Sequence, residues 1–353
     1  MSPLRIAVTV DPYIPVPPDL YGGIERVVDF VVRGLVSRGH QVTLFAHPGS
    51  KTPAELIPYG VPPHKGTRAR IRELTQLGGE LWRRRNQLDV VLSWGRLASL
   101  VPVLPVRSLA KIQCYQRDGV PWRSIRRAVR IAGKSVRFAG CSSSVYRDAR
   151  QNASAGHWRT IFNGVDPVHY TFVEAVPADA PLVFLGRIES IKGVHNAITV
   201  SKATGRRLVI AGNIPPEGRE HFERCVAPHL DGELIRYVGP VNDSQKDQLL
   251  GSAAALLMLI EWEEPFGIVM TEALACGTPV IAFSRGSVPE VIRNGLNGFI
   301  CNSVEDAISA VHSIPTLDRR AARRDCETRF SSSVLVDQYE RLCGEMVEAC
   351  AKS

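Results

Sequence analysis

The N-terminal part of the chain alternates between short apolar runs and helical periodicity. Leu4–Val10 is an apolar run typical of a buried strand. Between Ile24 and Arg38 the apolar side chains recur at helical spacing, Gly39 follows, and Gln41–Ala46 is again apolar. The pattern predicts a strand–helix–strand unit, the start of a parallel sheet. Later apolar runs predict further strands at Asp89–Ser93, Lys111–Cys114, Val136–Cys141 and Arg159–Phe162.

A second alternating series begins near Pro181. It predicts strands at Leu182–Leu185, Arg207–Ala211, Leu234–Val238, Ala254–Ile260 and Pro279–Ala282. The intervening periodicity predicts helices at Val194–Thr204, Gly218–His229, Asp243–Leu250 and Phe266–Cys276. The 353 residues fit about two domains at roughly 150 residues each. We therefore expect an α/β fold of two doubly wound domains, with ligands at the carboxyl ends of the strands and in the cleft between the domains.

Composition adds a charge asymmetry to this picture. Hydrophobic residues make up 44% and charged residues 22%, which excludes a disordered or fibrous chain. Residues 1–170 hold 25 Lys and Arg against 11 Asp and Glu, a net +14, whereas residues 171–353 hold 18 against 24, a net −6. The first half is therefore suited to an anionic partner.

The compartment is expected to be reducing. The longest apolar run, Ala253–Ile260, is far shorter than the roughly 20 residues of a membrane-spanning helix. The N-terminal run Ile6–Val10 is too short for a signal peptide and ends at Asp11. The eight cysteines include no CxxC pair, so we expect free thiols in the cytoplasm.

Several nucleotide-binding and catalytic motifs are absent. No G-x-G-x-x-G follows the first strand, and Gly133-Lys134-Ser135 is not a P-loop because Ala128 stands where the first glycine belongs. Neither H-E-x-x-H nor G-x-S-x-G occurs. No Asp-x-Asp pair occurs either, so we expect no metal held by such a pair.

Gly22 and Gly23 follow the first predicted strand, where the first helix begins. Glycines at such a position let the backbone approach a ligand, and a helix N-terminus offers N–H groups to an anion. The pair indicates either a phosphate site or merely a tight turn that needs a positive φ.

Gly186–Gly193 follows the predicted strand Leu182–Leu185. Its two cations, Arg187 and Lys192, lie five residues apart on a strand-to-helix loop. Cations so placed can clamp a diphosphate. The alternative is an ordinary solvated pair, since most charged side chains are solvated.

Glu264–Glu272 follows the strand Ala254–Ile260 and begins a predicted helix, with Pro265 near the first helical position. Eight residues of helix would separate the two carboxylates by about 12 Å along the axis. Between them lie backbone N–H groups suited to phosphate oxygens, those of Phe266, Gly267, Ile268 and Val269. The alternative is that Glu264 only complements the helix dipole and Glu272 faces solvent.

Together these motifs make the chain resemble the family 4 glycosyltransferases, which have the GT-B fold of two Rossmann-like domains facing across a cleft. The similarity covers essentially the whole chain. It is strongest in EPFGIVMTEALACGTPVIAF at 264–283 and GSVPEVIRNGLNGFI at 286–300. GGIERVV at 22–28, NGVD at 163–166 and GRIESIKG at 186–193 occur in the order expected for the family.

The resemblance implies a retaining glycosyltransferase of the hexosyltransferase type that acts in carbohydrate biosynthesis. It would move a sugar from a nucleotide-diphosphate donor to a hydroxyl of a glycolipid, a polysaccharide or a small-molecule glycoside. The family needs neither a metal nor another cofactor. Two alternatives stay open: a nucleotide-sugar-binding protein without transferase activity, and another GT-B enzyme such as a sugar-nucleotide epimerase.

The resemblance also implies roles for individual residues. Arg187 and Lys192 would stabilise the charge that grows on the leaving diphosphate. The Gly23 N–H would bind the distal phosphate, and Glu264 would hold sugar hydroxyls and stabilise positive charge at the anomeric carbon. Glu272 would take the ribose hydroxyls. The remaining donor-binding positions are Gly22, Gly212, Gly239, Val241, Phe266, Gly267, Ile268 and Val269.

One departure concerns a histidine that family members commonly carry after the fourth N-terminal strand, near the transferred sugar. This sequence has no histidine between His64 and His157. In the matching segment, Gln116 or Tyr115 is the candidate to replace it by hydrogen bonding. Tyr21 and Arg117 complete the candidates on the acceptor or sugar side.

The predicted domains are an acceptor-side domain at 1–172, a donor-binding domain at 173–333 and a terminal helix at 334–353 that crosses back to the first domain. A basic amphipathic helix at Trp122–Arg137 would suit an anionic or lipid-linked acceptor, or a peripheral location at the inner membrane face. The alternative is an ordinary domain helix with a solvated basic face. Nucleic acid is not expected as a partner, because no recognition motif accompanies the charge.

Overall fold

The computed structural model describes residues 2–18, 22–60, 66–151 and 155–352 of the chain. The chain divides into two compact units, residues 1–163 together with 332–353, and residues 164–331. Each unit is built on its own parallel sheet. The two are therefore described one at a time.

The N-terminal unit has seven strands in its described part. They are β1 (Arg5–Thr9), β2 (Gln41–Ala46), β3 (Glu55–Pro58), β4 (Val90–Ser93), β5 (Ala110–Tyr115), β6 (Val136–Gly140) and β7 (Trp158–Thr160). Their order in the sheet is β3-β2-β1-β4-β5-β6-β7. The connections include a 3-10 segment at Leu97–Val103 and three helices, α1 (Gly23–Ser37), α2 (Thr67–Arg84) and α3 (Trp122–Ala132).

The sequence pattern missed several elements of this unit, among them the 3-10 segment, and overextended one helix. Neither β3 nor α2 was predicted, and β3 is an edge strand with no buried residue, so it lacks an apolar run. The predicted helix Trp122–Arg137 is wrong in its last part. It ends at Ala132, because Gly133 turns the chain with φ 58° and Val136 then enters β6.

The second unit has six strands among the described residues. They are β8 (Leu182–Leu185), β9 (Leu208–Ala211), β10 (Ile235–Tyr237), β11 (Ala255–Met258), β12 (Val280–Phe283) and β13 (Gly298–Cys301). Their order is β10-β9-β8-β11-β12-β13. The helices are α4 (Val194–Thr204), α5 (Arg219–Cys225), α6 (Asp243–Gly251), α7 (Ile268–Ala275), α8 (Val288–Val291), α9 (Val304–Ser313) and α10 (Arg319–Phe330).

The last helix, α11 (Ser332–Ala351), is part of the N-terminal unit. It packs closely on α1, where a Cβ added to Gly34 would lie only 2.4 Å from Val336. Tyr339 is fully buried and its ring centroid lies 5.0 Å from that of Trp94. Nowhere in the described ranges is a helix both long enough and apolar enough to cross a membrane.

The division between the units falls at residues 163 and 164, earlier along the chain than the predicted boundary at 172 and 173. The segment that follows Asn163 is tied to α10. The Val165 N–H donates to the Phe330 carbonyl at 2.8 Å, and Arg323 donates to the carbonyls of Pro167 and Tyr170 at 3.1 and 3.0 Å. These bonds explain why the segment belongs to the second unit.

All eight cysteines lie in the described part of the chain and are free thiols. Seven are buried, and Cys225 is partly exposed. Burial raises the pKa of Cys301 to about 11 and that of Cys326 to about 12. Both thiols are therefore protonated at neutral pH and unreactive as nucleophiles.

Arg319 is a buried cation whose partners are mainly backbone carbonyls. Its side chain donates to Val173 O at 2.7 Å, Ala253 O at 2.8 Å, Gly251 O at 2.9 Å and Thr278 Oγ1 at 2.8 Å. Burial lowers its pKa to about 10. One guanidinium thus joins the start of the second unit to the connections around α6, β11 and α7.

The Arg319→Lys variant is expected to lose stability, because a single ammonium cannot reproduce the guanidinium fork and leaves buried carbonyls without donors. The expected loss is about 1–3 kcal/mol in the free energy of unfolding, measured by urea denaturation. The neighbouring variant Arg320→Lys is the control, since Arg320 is exposed and pairs with Glu174 at the surface. Equal midpoints for both variants would contradict the role given to Arg319.

Candidate active site

The residues predicted to bind a donor follow neighbouring strands of the second sheet. Parallel strands place their carboxyl ends at one edge of a sheet, which is where ligands bind in such folds. The order β10-β9-β8-β11 places in one row the residues that follow these strands, namely Gly239 and Val241, Gly212, Arg187 and Lys192, and Glu264. The structure therefore brings these separated motifs to a common edge.

Lys192 and Glu264 form an ion pair at this edge. The Lys192 Nζ lies 2.7 Å from Glu264 Oε2, and their side chains are 18% and 12% exposed. Trp262 contacts both: its Nε1 donates to the same Oε2 at 3.1 Å, and Lys192 Nζ lies 4.5 Å from its ring centroid. Within the described residues Glu264 Oε1 receives no hydrogen bond, so this oxygen remains available to a ligand.

Close backbone packing holds the two loops together. Gly193 has φ 71°, and a Cβ added to it would lie 1.8 Å from the Leu259 carbonyl oxygen, so only glycine fits. The Glu261 N–H donates to the Ile191 carbonyl at 2.9 Å. The Asn196 side chain donates to Leu259 O and to Glu261 Oε1, both at 3.1 Å. The loop that carries Lys192 is thus docked on the loop that carries Glu264.

A second turn supports the Glu264 loop from the other side. The Ser287 N–H donates to Glu264 O at 2.9 Å, and its hydroxyl donates to Phe266 O at 2.8 Å. Gly286 has φ 54°, and a Cβ there would lie 2.2 Å from Glu264 O. The conformation of this loop is therefore set by its neighbours rather than by the helix that follows it.

The predicted start of that helix is wrong. The structure begins α7 at Ile268, with Gly267 at the N-cap in the left-handed conformation, φ 71°. Pro265 and Phe266 precede the helix and are buried. Glu264 therefore lies on a loop rather than in the first turn, and the predicted helical spacing between it and Glu272 does not apply. The first N–H groups of α7, at Ile268 and Val269, still lack intrahelical acceptors by position.

Glu272 is buried in α7, contrary to the alternative that it faces solvent. Its Oε1 accepts from Lys246 Nζ at 2.6 Å and from the Tyr170 hydroxyl at 2.8 Å. Burial lowers the pKa of Lys246, but the attraction of Glu272 and Asp243 outweighs this and holds it above its ordinary value. No described residue donates a hydrogen bond to Glu272 Oε2. Each of the two carboxylates thus has one oxygen engaged and one free.

Arg187 forms its ion pair with Glu189, at 2.9 Å between Nη1 and Oε1. The Arg187 side chain is 37% exposed, whereas that of Glu189 is 12% exposed. The cation is therefore within reach of solvent and can change partners. No group of three or more His, Cys, Asp or Glu side chains in the described ranges is arranged to hold a metal ion.

Apart from Lys192, the residues that hold the two carboxylates were not predicted from the sequence. Trp262 carried a signal, since it lies two residues from Glu264 in the same motif. Lys246 and Tyr170 carried none, because they meet Glu272 only through the packing of α6 and of the segment after Asn163 on α7.

In the N-terminal unit, α1 begins at Gly23 with Gly22 as its N-cap. Tyr21 lies outside the described residues. A carboxylate already lies beside the helix N-terminus, because a Cβ on Gly22 would be 2.9 Å from Glu25 Oε2. Burial raises the pKa of Glu25, opposed by a backbone hydrogen bond and by Arg117. The N–H groups predicted to bind phosphate thus have an acidic neighbour.

The candidates that follow β5 differ in their surroundings. Gln116 Oε1 accepts from Asn163 Nδ2 at 2.7 Å, while its buried Nε2 has no partner among the described residues. The Tyr115 hydroxyl is also buried without a partner there, and burial raises its pKa. Arg117 is exposed, and its charge acts on Asp11 as well as Glu25. The two residues predicted to replace the family's histidine, Tyr115 and Gln116, thus each carry an unsatisfied hydrogen-bonding group.

Three further buried polar side chains lie in register across this sheet. Thr9 pairs with Ser93 between β1 and β4, and Ser93 pairs with Gln113 between β4 and β5. Thr9 Oγ1, Ser93 Oγ and Gln113 Oε1 have no partner in the described part of the chain. Such groups need a polar partner to offset their burial. Sequence reasoning missed this row, since single polar residues within strands form no motif.

The Lys246→Met variant is expected to destabilise the second unit by about 3–5 kcal/mol, because it leaves the buried Glu272 carboxylate without its cation. Urea denaturation of the purified protein measures the change. Lys202→Met is the matched control, since Lys202 is exposed and its only hydrogen-bond partner among the described residues is His229. An unchanged unfolding midpoint for Lys246→Met would show that the pair contributes nothing.

Comparison with known proteins places the chain in a family. The family model for glycosyl transferases group 1 matches residues 174–326, and that for glycosyltransferase family 4 matches residues 21–169. The glycogen synthase of Mycobacterium tuberculosis is 27% identical, over 87% of this chain and 86% of that protein. Matches to glycosyltransferases thus span both units.

Solved structures share the fold. AviGT4, a glycosyltransferase involved in avilamycin A biosynthesis, superposes with a TM-score of 0.67 at 24% identity, over 98% of each chain. HepE of Anabaena, solved in complex with UDP-glucose, gives a TM-score of 0.71 at 15% identity, over 97% of this chain and 100% of the other. The predicted GT-B fold of two parallel-sheet domains is confirmed. With both of its units matched by glycosyltransferase models, the chain belongs to the family 4 glycosyltransferases.

Proposed function

We propose that the protein transfers a hexose from a nucleoside-diphosphate sugar to an acceptor hydroxyl, with retention of anomeric configuration and without a metal ion. The observation that carries this proposal is the pair of carboxylates at the edge of the second sheet. Glu264 and Glu272 are each anchored through one oxygen and leave the other without a hydrogen bond from the described residues. A sugar hydroxyl and a ribose hydroxyl are suitable donors to these free oxygens.

The cations of the same edge support a diphosphate between those two groups. Lys192 and Arg187 are paired with Glu264 and Glu189 in the structure. A bound diphosphate is negatively charged. Each cation can bind it either in addition to its carboxylate partner or in place of that partner. Donors placed where charge develops stabilise a leaving group most strongly when they are already in position. Lys192 and Arg187 would thereby provide the stabilisation that a metal ion provides in other transferases.

The N-terminal unit supplies the groups proposed for the acceptor and the distal phosphate. Gly23 begins α1 and offers its backbone N–H, as in the family motif that it matches. Gln116 and Tyr115 have unsatisfied polar atoms, and both can hydrogen-bond a sugar hydroxyl. Glu25 lies beside the same helix end, where its ionised carboxylate would oppose a phosphate. Burial raises the pKa of Glu25, which reflects the cost of holding that charge there.

A panel of nucleotide sugars with uridine, guanosine, adenosine and thymidine bases tests this proposal. At 100 times its Kd, the correct donor is expected to raise the melting temperature by about 5–10 °C. NMR of the product, or of the hydrolysed donor, reads the anomeric configuration. The absence of any shift with every donor and diphosphate would contradict the proposal, and inversion at the anomeric carbon would refute retention. Donor binding without turnover on any acceptor would favour a binding protein instead.

The same assay distinguishes the role of Glu264. Glu264→Gln keeps a hydrogen-bonding group but removes the charge, so kcat is expected to fall about 10²–10³-fold. Donor-induced stabilisation should persist, because most of the donor site is unchanged. The control is Glu223→Gln, an exposed carboxylate of the same unit, which should leave kcat unchanged. A normal kcat for Glu264→Gln would exclude the proposed role.

Trp262 is proposed as a positioning residue, since it binds the oxygen of Glu264 that Lys192 also binds. Trp262→Phe retains a ring beneath the ammonium but removes the N–H donor. Loss of a hydrogen bond to a charged group predicts a fall in kcat of about 10-fold or more. KM for the donor should change less than kcat. A purely structural defect of the site would instead change KM as well as kcat. Trp82→Phe, an exposed tryptophan of the other unit, serves as the control, and equal kinetics for the two variants would exclude positioning by Trp262.

A further inference from the structure

The positive charge of the N-terminal unit is concentrated in one stretch of the chain. Residues 66–137 hold 16 Lys and Arg against 4 Asp and Glu, a net +12. This stretch comprises α2, the 3-10 segment Leu97–Val103 and α3, with the strands between them. The donor site proposed above uses none of this charge, and only Arg117 of this stretch is a candidate on the acceptor or sugar side. The excess therefore calls for a separate explanation.

These three elements lie on one face of the sheet. The sheet order is β3-β2-β1-β4-β5-β6-β7, and α2 joins β3 to β4, the 3-10 segment joins β4 to β5, and α3 joins β5 to β6. These three connections run in the same direction across the sheet, whereas α1, which joins β1 to β2, runs in the opposite direction. Parallel crossovers are right-handed, so connections that run in opposite directions cover opposite faces. The 3-10 segment contacts both α2 and α3, which makes the three elements one continuous surface. We call it the basic face.

The arginines of α3 point outward along a single stripe. Arg123, Arg126, Arg127 and Arg130 are exposed, while Ile125, Ala128 and Ala132 are buried. At 100° per residue the four arginines fall within about 100° of the helix surface. No ion pair joins any of the four to another described residue. Their charge is therefore presented to solvent without compensation.

Apolar side chains stand among these cations. Nine large hydrophobic residues are exposed in the described part of the chain, and four of them lie on the basic face. They are Ile71 and Trp82 on α2, Val101 on the 3-10 segment and Ile131 on α3, each 44–55% exposed. Arg85 lies over the ring of Trp82, 4.0 Å from its centroid. Charge and apolar surface thus coincide on the same three elements.

We propose that the basic face docks the protein on an anionic lipid bilayer. Arginine side chains meet the phosphates of acidic headgroups, and the exposed aromatic and aliphatic groups enter the region between headgroups and acyl chains. A soluble polyanion would satisfy the arginines but would leave the four apolar side chains in water. The bilayer is the partner that uses both. The basic face contains none of the donor-site residues at the edge of the second sheet. Docking on a bilayer is therefore independent of catalysis.

Vesicle sedimentation with the purified 353-residue chain tests the proposal, without donor or acceptor present. Binding is expected to vesicles that contain phosphatidylglycerol, to weaken in high salt, and to be absent with pure phosphatidylcholine. The variant Arg126→Gln/Arg127→Gln/Arg130→Gln should bind on the order of 100-fold more weakly, at about fivefold for each cation near the surface. Equal binding to both vesicle types, or none to either, would overturn the proposal.

A charge-matched control separates this face from net charge. The variant Arg219→Gln/Arg236→Gln/Arg341→Gln removes three exposed cations from α5, β10 and α11. It should bind anionic vesicles like the parent protein. A loss as large as that of the α3 variant would mean that only the total charge matters, which refutes a dedicated face.

The apolar groups distinguish a bilayer from a soluble polyanion. Trp82→Gln/Ile131→Gln should weaken vesicle binding several-fold at unchanged charge. The matched control is Val168→Gln/Leu296→Gln, which alters two exposed apolar residues of the other unit. Unchanged vesicle binding in the first variant, or parent-like binding to inorganic polyphosphate in place of vesicles, would assign the face to a soluble polyanion and overturn the proposal. Transferase activity, scored separately with a soluble acceptor, can persist in either outcome.

Discussion

The arrangement of the second unit's sheet edge depends on the approach of Gly193 to the carbonyl of Leu259. No side chain can be accommodated there, and the positive φ of Gly193 turns the chain from the strand-end loop into α4. Lys192 and Trp262 flank this contact on their two loops, and their distance from each other follows from it. An ion pair between flexible side chains would otherwise lose much conformational entropy on forming. Backbone packing of the two loops thus positions Lys192 and Glu264, so their ion pair does not have to hold the loops together by itself.

Opposite charges are paired along the same edge of the second sheet. Each cation has a carboxylate partner, and each carboxylate named as a ligand has a neutral donor as well, Trp262 for Glu264 and Tyr170 for Glu272. Such pairing offsets the cost of burying charge when no substrate is present. In each of the two carboxylates, the hydrogen bonds to one oxygen determine which oxygen is left for a ligand. Selectivity for hydroxyl groups in the sugar and ribose positions would follow from the same bonds.

Periodicity in the sequence was sufficient for the α/β class and for most elements. It located β8 and α4 at their observed bounds, because β8 is an apolar run between Pro181 and Gly186 and glycines, Gly193 and Gly205, bound α4 on both sides. It failed where tertiary contacts decide. The Glu264 loop continues to Gly267 because Ser287 and Gly286 hold it, and neither residue is near in sequence. The bond between Lys246 and Glu272 joins two helices, so no local spacing announces it. The roles of the predicted site residues still rest on their motifs.

The N-terminal unit is discontinuous, and this has a consequence for its synthesis. Helix α11 supplies Val336 against Gly34 and the fully buried Tyr339, yet it follows the whole second unit in the chain and is synthesised after it. Domains ordinarily fold in the order in which they are made. Here the first sheet must wait with an uncovered apolar face until the whole second unit has been translated. A stop codon placed before Ser332 would therefore damage the unit that is made first.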